Sequence, residues 1–197
     1  MDEAAEAHAT HIGRTTNNRR MCRPWEDALD IAGVGDDLAD PFTTTVDSSF
    51  PKGAALANWL MATGASTTLG QLVIHGGQYS INATIPPMSQ QWIYTPDRIS
   101  IDGTETHEPG VEYLTINTPV EIAATDPGDQ CGRMVYTDLH VSAGTDADSS
   151  SDTTPFPGGC TTTDLSPQEK ALEFMLFDLS SCVQQESQTP VPPPVLQ

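Results

Sequence analysis

The clearest alternation of side chains lies in residues 132–141, where successive positions would point to opposite faces of a β-strand. After a polar loop, residues 166–181 form a second pattern, in which Lys170, Glu173 and Asp178 are the polar positions behind the first turn. Apolar residues would surround most of a helix built from this run, so the pattern predicts a largely buried helix. A strand followed by a buried helix is typical of layered α/β or α+β architecture.

The start of this helix is predicted by its capping residues. Ser166 is a good N-cap, Pro167 suits the first helical position, and Glu169 at the third position completes a capping box. The sequence therefore predicts that the helix begins at Ser166.

A second main helix is predicted at about residues 53–63. Leu56 and Trp59 fall at helical spacing, and Gly64 would stop the helix at its C-terminus. A shorter helix is predicted from Pro24 to Ile31.

Short runs rich in β-branched and aromatic residues, separated by Gly, Pro and Asn, predict further strands at 71–75, 79–82, 91–94 and 111–117. We expect the last of these to pair antiparallel with the strand at 132–141, each being half buried. The predicted fold is α/β or α+β. It has a mixed sheet of four to five strands that includes this antiparallel hairpin, flanked by the two main helices.

Composition favours one domain with irregular ends. The 197 residues predict a disordered leader over 1–23, a single disulfide-stabilised domain over 24–183 and a Pro-rich linker or tail over 184–197. A tail of this kind indicates neighbouring domains in a larger chain. The first 20 residues lack a secretory apolar segment, so an export signal would have to lie upstream.

The charge balance excludes whole classes of partner. With 8 basic and 27 acidic residues the formal net charge is −19, which repels phosphate backbones and anionic lipid surfaces. We therefore expect no nucleic acid as a partner. No stretch approaches the ~20 apolar residues of a membrane span, so no membrane insertion is expected either.

Four cysteines without a C-x-x-C spacing, in a Thr- and Asp-rich chain, predict two disulfides and hence an extracellular or cell-surface location. A helix over 166–181 would hold Cys160 and Cys182 roughly 24 Å apart or more, which disfavours that pairing. An antiparallel return of the helix favours Cys131 with Cys182, leaving Cys22 with Cys160. A pairing of Cys131 with Cys160 stays open, because the loop between them is long.

The loop over 142–163 offers hard oxygen ligands in Asp146, Asp148 and Asp152, but it lacks the Gly and terminal Glu of an EF-hand. We expect no cofactor. Calcium at these three residues is the weaker alternative.

Some of these segments also carry a resemblance. The runs GRMVYTDLHVS and LSPQEKALEFMLFDLSSCV, with FPGGC between them, resemble a domain of large secreted bacterial surface proteins, found beside carboxypeptidase-regulatory-like or Ig-like modules. The resemblance covers roughly residues 36–183. Residues 132–140 are also similar to the closing strand of class I glutamine amidotransferase-like and trehalose-utilisation-type domains. That likeness implies a truncated flavodoxin-like sheet.

A catalytic site would need a nucleophile beside a base. His140 or His75 could pair with Asp138, but no Gly-x-Ser-x-Gly or Gly-x-Cys-x-Gly elbow supplies the attacking group. The sequence therefore favours a non-enzymatic structural or adhesion/ligand-binding module. The alternative is a degenerate or active amidotransferase- or hydrolase-like enzyme using His140 and Asp138. A third reading, calcium-dependent carbohydrate binding, depends on Trp92 and Tyr94 being exposed.

Overall fold

A computed structural model describes residues 28–31, 40–77, 80–99, 105–106, 109–139, 164–180 and 183–188. It contains two α-helices, α1 (Pro51–Ala62) and α2 (Pro167–Ser180). The strands are β1 (Leu29–Ile31), β2 (Phe42–Val46), β3 (Gln71–Ile74), β4 (Ile81–Thr84), β5 (Ser89–Thr95), β6 (Arg98–Ile99), β7 (Glu105–Thr106), β8 (Gly110–Thr118) and β9 (Gly132–Thr137). Two 3₁₀ turns, Val120–Ile122 and Pro127–Asp129, lie between β8 and β9.

The main sheet has five strands in the order β3-β2-β5-β8-β9, and every neighbouring pair in it is antiparallel. Two small antiparallel ladders, β1 with β4 and β6 with β7, complete the described strands. The predicted fold class is confirmed, in its α+β form. A flavodoxin-like sheet is built from parallel pairs, and the described strands contain none.

The predicted hairpin is present. Strands β8 and β9 pair antiparallel, from Tyr113 opposite Thr137 to Thr118 opposite Gly132. The expectation that β8 is half buried is wrong, because residues 110–116 are buried on both faces. The two helices cover the face that carries Tyr113, while β1 and β4 contribute to the core on the other face.

The capping box of α2 is confirmed. The Glu169 backbone N–H donates to the Ser166 hydroxyl oxygen at 3.2 Å, and the Ser166 N–H donates to the Glu169 carboxylate at 2.7 Å. The prediction that α2 is largely buried is wrong, since its buried residues are Gln168, Ala171 and Met175. This helix packs on α1 and the sheet with one side, and the apolar residues of its other side are exposed.

Helix α1 starts at Pro51, two residues before the predicted position, and ends at Ala62. Gly64 adopts a φ of 70°, and its N–H donates to the Met61 carbonyl at 3.2 Å, as expected of a helix stop. The short helix predicted from Pro24 to Ile31 is wrong at its described end. Leu29–Ile31 pairs with β4 as a strand, because tertiary pairing overrides a weak local preference.

Neither α1 nor α2, the helices of the described part of the chain, is long and apolar enough to cross a membrane.

Candidate functional site

Four charged side chains meet in the layer between the helices and the main sheet. Lys52 comes from the first turn of α1, Arg133 from β9, Asp178 from the last turn of α2, and Glu186 from the segment 183–188 that follows. Their side chains are 2%, 4%, 9% and 15% exposed, in that order. We call these four residues the buried charge cluster.

Within the cluster each carboxylate faces both cations. Lys52 Nζ lies 2.9 Å from Asp178 Oδ1, and Arg133 Nε lies 2.9 Å from Asp178 Oδ2. The Arg133 guanidinium also donates to Glu186 Oε1, whereas Lys52 Nζ is 3.9 Å from Glu186 Oε2. The cluster therefore brings together two basic and two acidic side chains.

The floor of the cluster is formed by polar and aromatic side chains of the sheet. Thr115 Oγ1 accepts a hydrogen bond from Trp92 Nε1 and donates one to Glu186 Oε1, both at 2.9 Å. The Arg133 guanidinium lies over the Trp92 ring, 5.8 Å from its centroid. The indole also stacks on Tyr113, with centroids 5.1 Å apart. The cluster is thus continuous with the aromatic core.

The segment 183–188 is held by this same floor. The Gln184 carbonyl accepts hydrogen bonds from Arg133 Nη1 at 3.5 Å and from Asn117 Nδ2 at 3.4 Å. Gln184 and Glu186 belong to the predicted tail of residues 184–197, and both are hydrogen-bonded to the main sheet.

Burial dominates the electrostatics of two groups here. It raises the pKa of Glu186, against the opposing effect of Arg133 and Lys52. Burial, reinforced by the Asp178 charge, also raises the pKa of Tyr113, so its phenol is neutral. Among the described residues, no group hydrogen-bonds the Tyr113 hydroxyl.

Asp138, one half of the predicted dyad, lies just after β9. Its Oδ2 accepts the Ser80 backbone N–H at 2.8 Å, and its Oδ1 accepts the Tyr136 hydroxyl at 2.7 Å. Burial raises the pKa of Tyr136 to about 12, so this phenol keeps its proton. The carboxylate thereby ties the end of β9 to the chain just before β4. His140, the other half, lies outside the described residues.

The structure does not bring His75 to Asp138. His75 follows β3 at one edge of the main sheet, and Asp138 follows β9 at the opposite edge. His75 is exposed, and its Nδ1 lies 3.1 Å from Asp40 Oδ1. The side-chain amide of Gln168 accepts the His75 N–H at 3.0 Å and donates to its carbonyl at 2.9 Å.

Most of the predicted disulfide and calcium residues lie outside the described part: Cys22, Cys160, Cys182, Asp146, Asp148 and Asp152. Cys131 is exposed just before β9, and its pairing with Cys182 stays a prediction. In the described ranges no group of three or more His, Cys, Asp or Glu is arranged to hold a metal ion. Trp92 is buried, so it does not offer the exposed ring that the carbohydrate-binding alternative requires.

The sequence missed the buried charge cluster, although two signals pointed to it. Lys52 is one of only two lysines in the chain and lies at the start of an apolar helix. Asp178 is one of three polar positions inside an otherwise apolar run. A lone charge in an apolar helix that is buried needs an opposite charge beside it.

Comparison with family models, with curated proteins and with solved structures finds no match to this chain. The resemblance to a domain of bacterial surface proteins therefore stays an expectation. Any function has to be inferred from the fold and from the cluster itself.

Proposed function

We propose that this chain is a non-enzymatic module of a bacterial secreted or surface protein, with a structural or adhesion/ligand-binding role. In this proposal it works beside neighbouring domains of a larger chain. Its strongly acidic composition, with a formal net charge of −19, suits a solvated extracellular surface.

The observation that carries the proposal is the buried charge cluster. Its cations and carboxylates are engaged with one another and with the sheet, in contacts that join α1, α2, β9 and residues 183–188. Breaking such a set leaves an uncompensated buried charge, so its members act first as structural links. Links of this kind suit a module whose role is structural.

The geometry of Asp138 also supports the proposal. Both of its oxygens accept hydrogen bonds, from Ser80 and Tyr136, that connect two segments of the fold. A carboxylate held in this way links the end of β9 to the chain before β4. The amidotransferase- or hydrolase-like alternative would need the same carboxylate to orient His140.

An activity panel tests the proposal. The full chain and its His140→Gln variant are assayed against ester, amide and glycoside substrates, with circular dichroism confirming the fold of each. We expect no turnover from either protein, because no nucleophile elbow is encoded. Turnover by the native chain that disappears in a folded His140→Gln variant would reject the module.

Thiol labelling tests the proposed compartment. We expect no labelling of the native or the denatured unreduced protein, and four labelled cysteines after reduction, as two disulfides require. One reactive thiol of low pKa in the native protein would favour the enzyme instead.

A further inference from the structure

Three side chains converge on the Glu186 carboxylate as they would on a bound ligand. The Arg133 guanidinium and the Thr115 hydroxyl both donate to Oε1, and Lys52 approaches Oε2. A guanidinium and a hydroxyl that donate to one oxygen, with an ammonium 3.9 Å from the other, are groups with which proteins recognise carboxylates.

Glu186 fills this position incompletely. Its Oε2 is buried without a hydrogen bond among the described residues, and Lys52 Nζ lies 3.9 Å away, beyond hydrogen-bonding distance. The Tyr113 hydroxyl, fully buried within electrostatic reach of Arg133, Asp178 and Glu186, also lacks a partner in the described chain. A buried hydroxyl without a partner costs free energy that a better-placed carboxylate would recover.

The element that carries Glu186 is the least regular part of the site. Residues 183–188 form neither helix nor strand, whereas Lys52, Arg133 and Thr115 lie on α1, β9 and β8. Without Glu186, the other three members of the cluster would hold two positive charges and one negative charge. Withdrawal of the segment would therefore leave a preformed site with one excess positive charge.

We propose that Arg133, Lys52 and Thr115 form a carboxylate-binding site that Glu186 occupies in cis, and that an external carboxylate takes Glu186's place when residues 183–188 withdraw. The carboxylate comes from a small organic acid or from the acidic side chain of a peptide. This inference rests on the ligand-binding half of the proposed function and names its ligand class.

Chemical rescue tests the site in the full chain. Glu186→Ala empties the position, and its Tm is measured in sodium acetate and in sodium chloride of equal ionic strength. We expect acetate to raise the Tm by several degrees over chloride, because a ligand that binds only the folded state stabilises it. Glu121→Ala, which removes an exposed glutamate, is the matched control and should show no acetate preference. The native chain should likewise show little, since Glu186 occupies the site.

A second experiment, with peptides, distinguishes a small organic acid from the acidic side chain of a peptide as the source of the carboxylate. The hexapeptide VQQESQ, which repeats residues 183–188, is compared with VQQQSQ. Rescue by acetate alone indicates a small organic acid, and additional selective rescue by VQQESQ indicates a peptide. Adding Thr115→Val to Glu186→Ala should weaken rescue, because the hydroxyl donor to the carboxylate is lost while Arg133 and Lys52 remain.

Equal melting temperatures of Glu186→Ala in acetate and chloride, with the fold intact, would overturn the inference. So would rescue of the same size after Thr115→Val is added. If Glu186→Ala folds in neither salt, Glu186→Ser, which also leaves room for a carboxylate, replaces it, and the same preference for acetate is required. If acetate does not rescue Glu186→Ala, the carboxylate ligand is rejected but the proposal of a non-enzymatic module is unaffected. Turnover that depends on His140 would reject the module, whatever the result with acetate.

Discussion

Each end of α2 has an ion pair with one of the two lysines of the chain, but one pair is exposed and the other is buried. Near the start of the helix, Lys170 Nζ lies 3.0 Å from Asp164, with the two side chains 12% and 79% exposed. At its end, Lys52 Nζ lies 2.9 Å from Asp178, with the two side chains 2% and 9% exposed. Nearly equal distances therefore join two pairs in very different surroundings.

The difference in exposure determines how much each ion pair contributes to the stability of the fold. Water and dissolved ions screen Asp164, so its contact with Lys170 contributes little to stability, although Lys170 also lowers the pKa of that carboxyl. Water is largely excluded from Asp178 and Lys52. Removing either side chain therefore leaves the other as a buried charge with one partner fewer, which lowers the stability of the fold. The start of α2 depends on its capping box, and its end depends on the buried charge cluster.

The largest expected effect comes from removing the cation that contacts both carboxylates. Arg133→Met should lower the free energy of unfolding by about 3–5 kcal/mol, because Asp178 and Glu186 stay buried with Lys52 as their remaining partner in the cluster. Urea unfolding measures the loss. Arg133→Lys keeps the positive charge but loses the planar guanidinium, so its free energy of unfolding should lie between those of the native chain and Arg133→Met. A stability of Arg133→Met equal to that of the native chain would mean that the cluster does not hold the fold.

A matched pair of lysine variants tests the two ends directly. Lys52→Met should destabilise the chain by several kcal/mol, since it strips Asp178 of its ammonium partner in a buried site. Lys170→Met should cost clearly less, because its carboxylate partner Asp164 stays in water and the other contact it removes is the hydrogen bond from Nζ to the Thr63 carbonyl. Thermal and urea unfolding of both variants check the order. Equal losses would erase the distinction between the two ends.

The cap at the start of α2 provides an intermediate effect. Ser166→Ala removes the acceptor of the Glu169 N–H and should cost about 1 kcal/mol. Ser166→Asp is the control, because aspartate is as good an N-cap and should retain most of the stability. An unchanged Tm in Ser166→Ala would show that the capping box contributes nothing.

The smallest effect is a dependence on pH. Burial raises the folded-state pKa of Glu186 above its ordinary 4.5, so the folded state binds the proton more tightly than the unfolded chain. Its contribution to stability is then largest below pH 4.5 and declines as pH rises through the folded-state pKa, by about 1.4 kcal/mol for each unit of difference. The charged groups around it are Lys52, Arg133 and Asp178.

Glu186→Gln isolates this contribution, because glutamine does not titrate. The free energy of unfolding of the native chain, minus that of Glu186→Gln, should fall as the pH rises above 4.5 and should level off above the folded-state pKa. Urea unfolding at a series of pH values provides the curve. A difference that grows with pH would mean that the folded state favours the ionised carboxyl.

The comparison also explains what sequence alone predicts. The capping box of α2 and the stop at Gly64 are local, since their residues lie within a few positions of one another, and both were predicted correctly. The cluster is not local, because Lys52 and Asp178 are separated by 126 positions. Periodicity identified Asp178 as a polar residue in an apolar helix but gave no partner for it.

The same limit accounts for the errors in burial. An apolar pattern around α2 predicted a helix covered on most sides, but coverage depends on which neighbours pack against it. In the described part of the chain these are α1 and the sheet, and Leu176 and Phe177 are exposed. Strand β8 shows the opposite error, because its alternating pattern gave no sign that both faces would be covered.

A double-mutant cycle on each lysine–carboxylate pair tests the central claim most directly. One cycle combines Lys52→Met with Asp178→Asn, and the other combines Lys170→Met with Asp164→Asn. We predict a coupling free energy above ~1 kcal/mol for the buried pair, as expected of residues in one charged network, and a value within error of zero for the exposed pair. Equal coupling in the two cycles would contradict the claim that the end of α2 is held by buried charge.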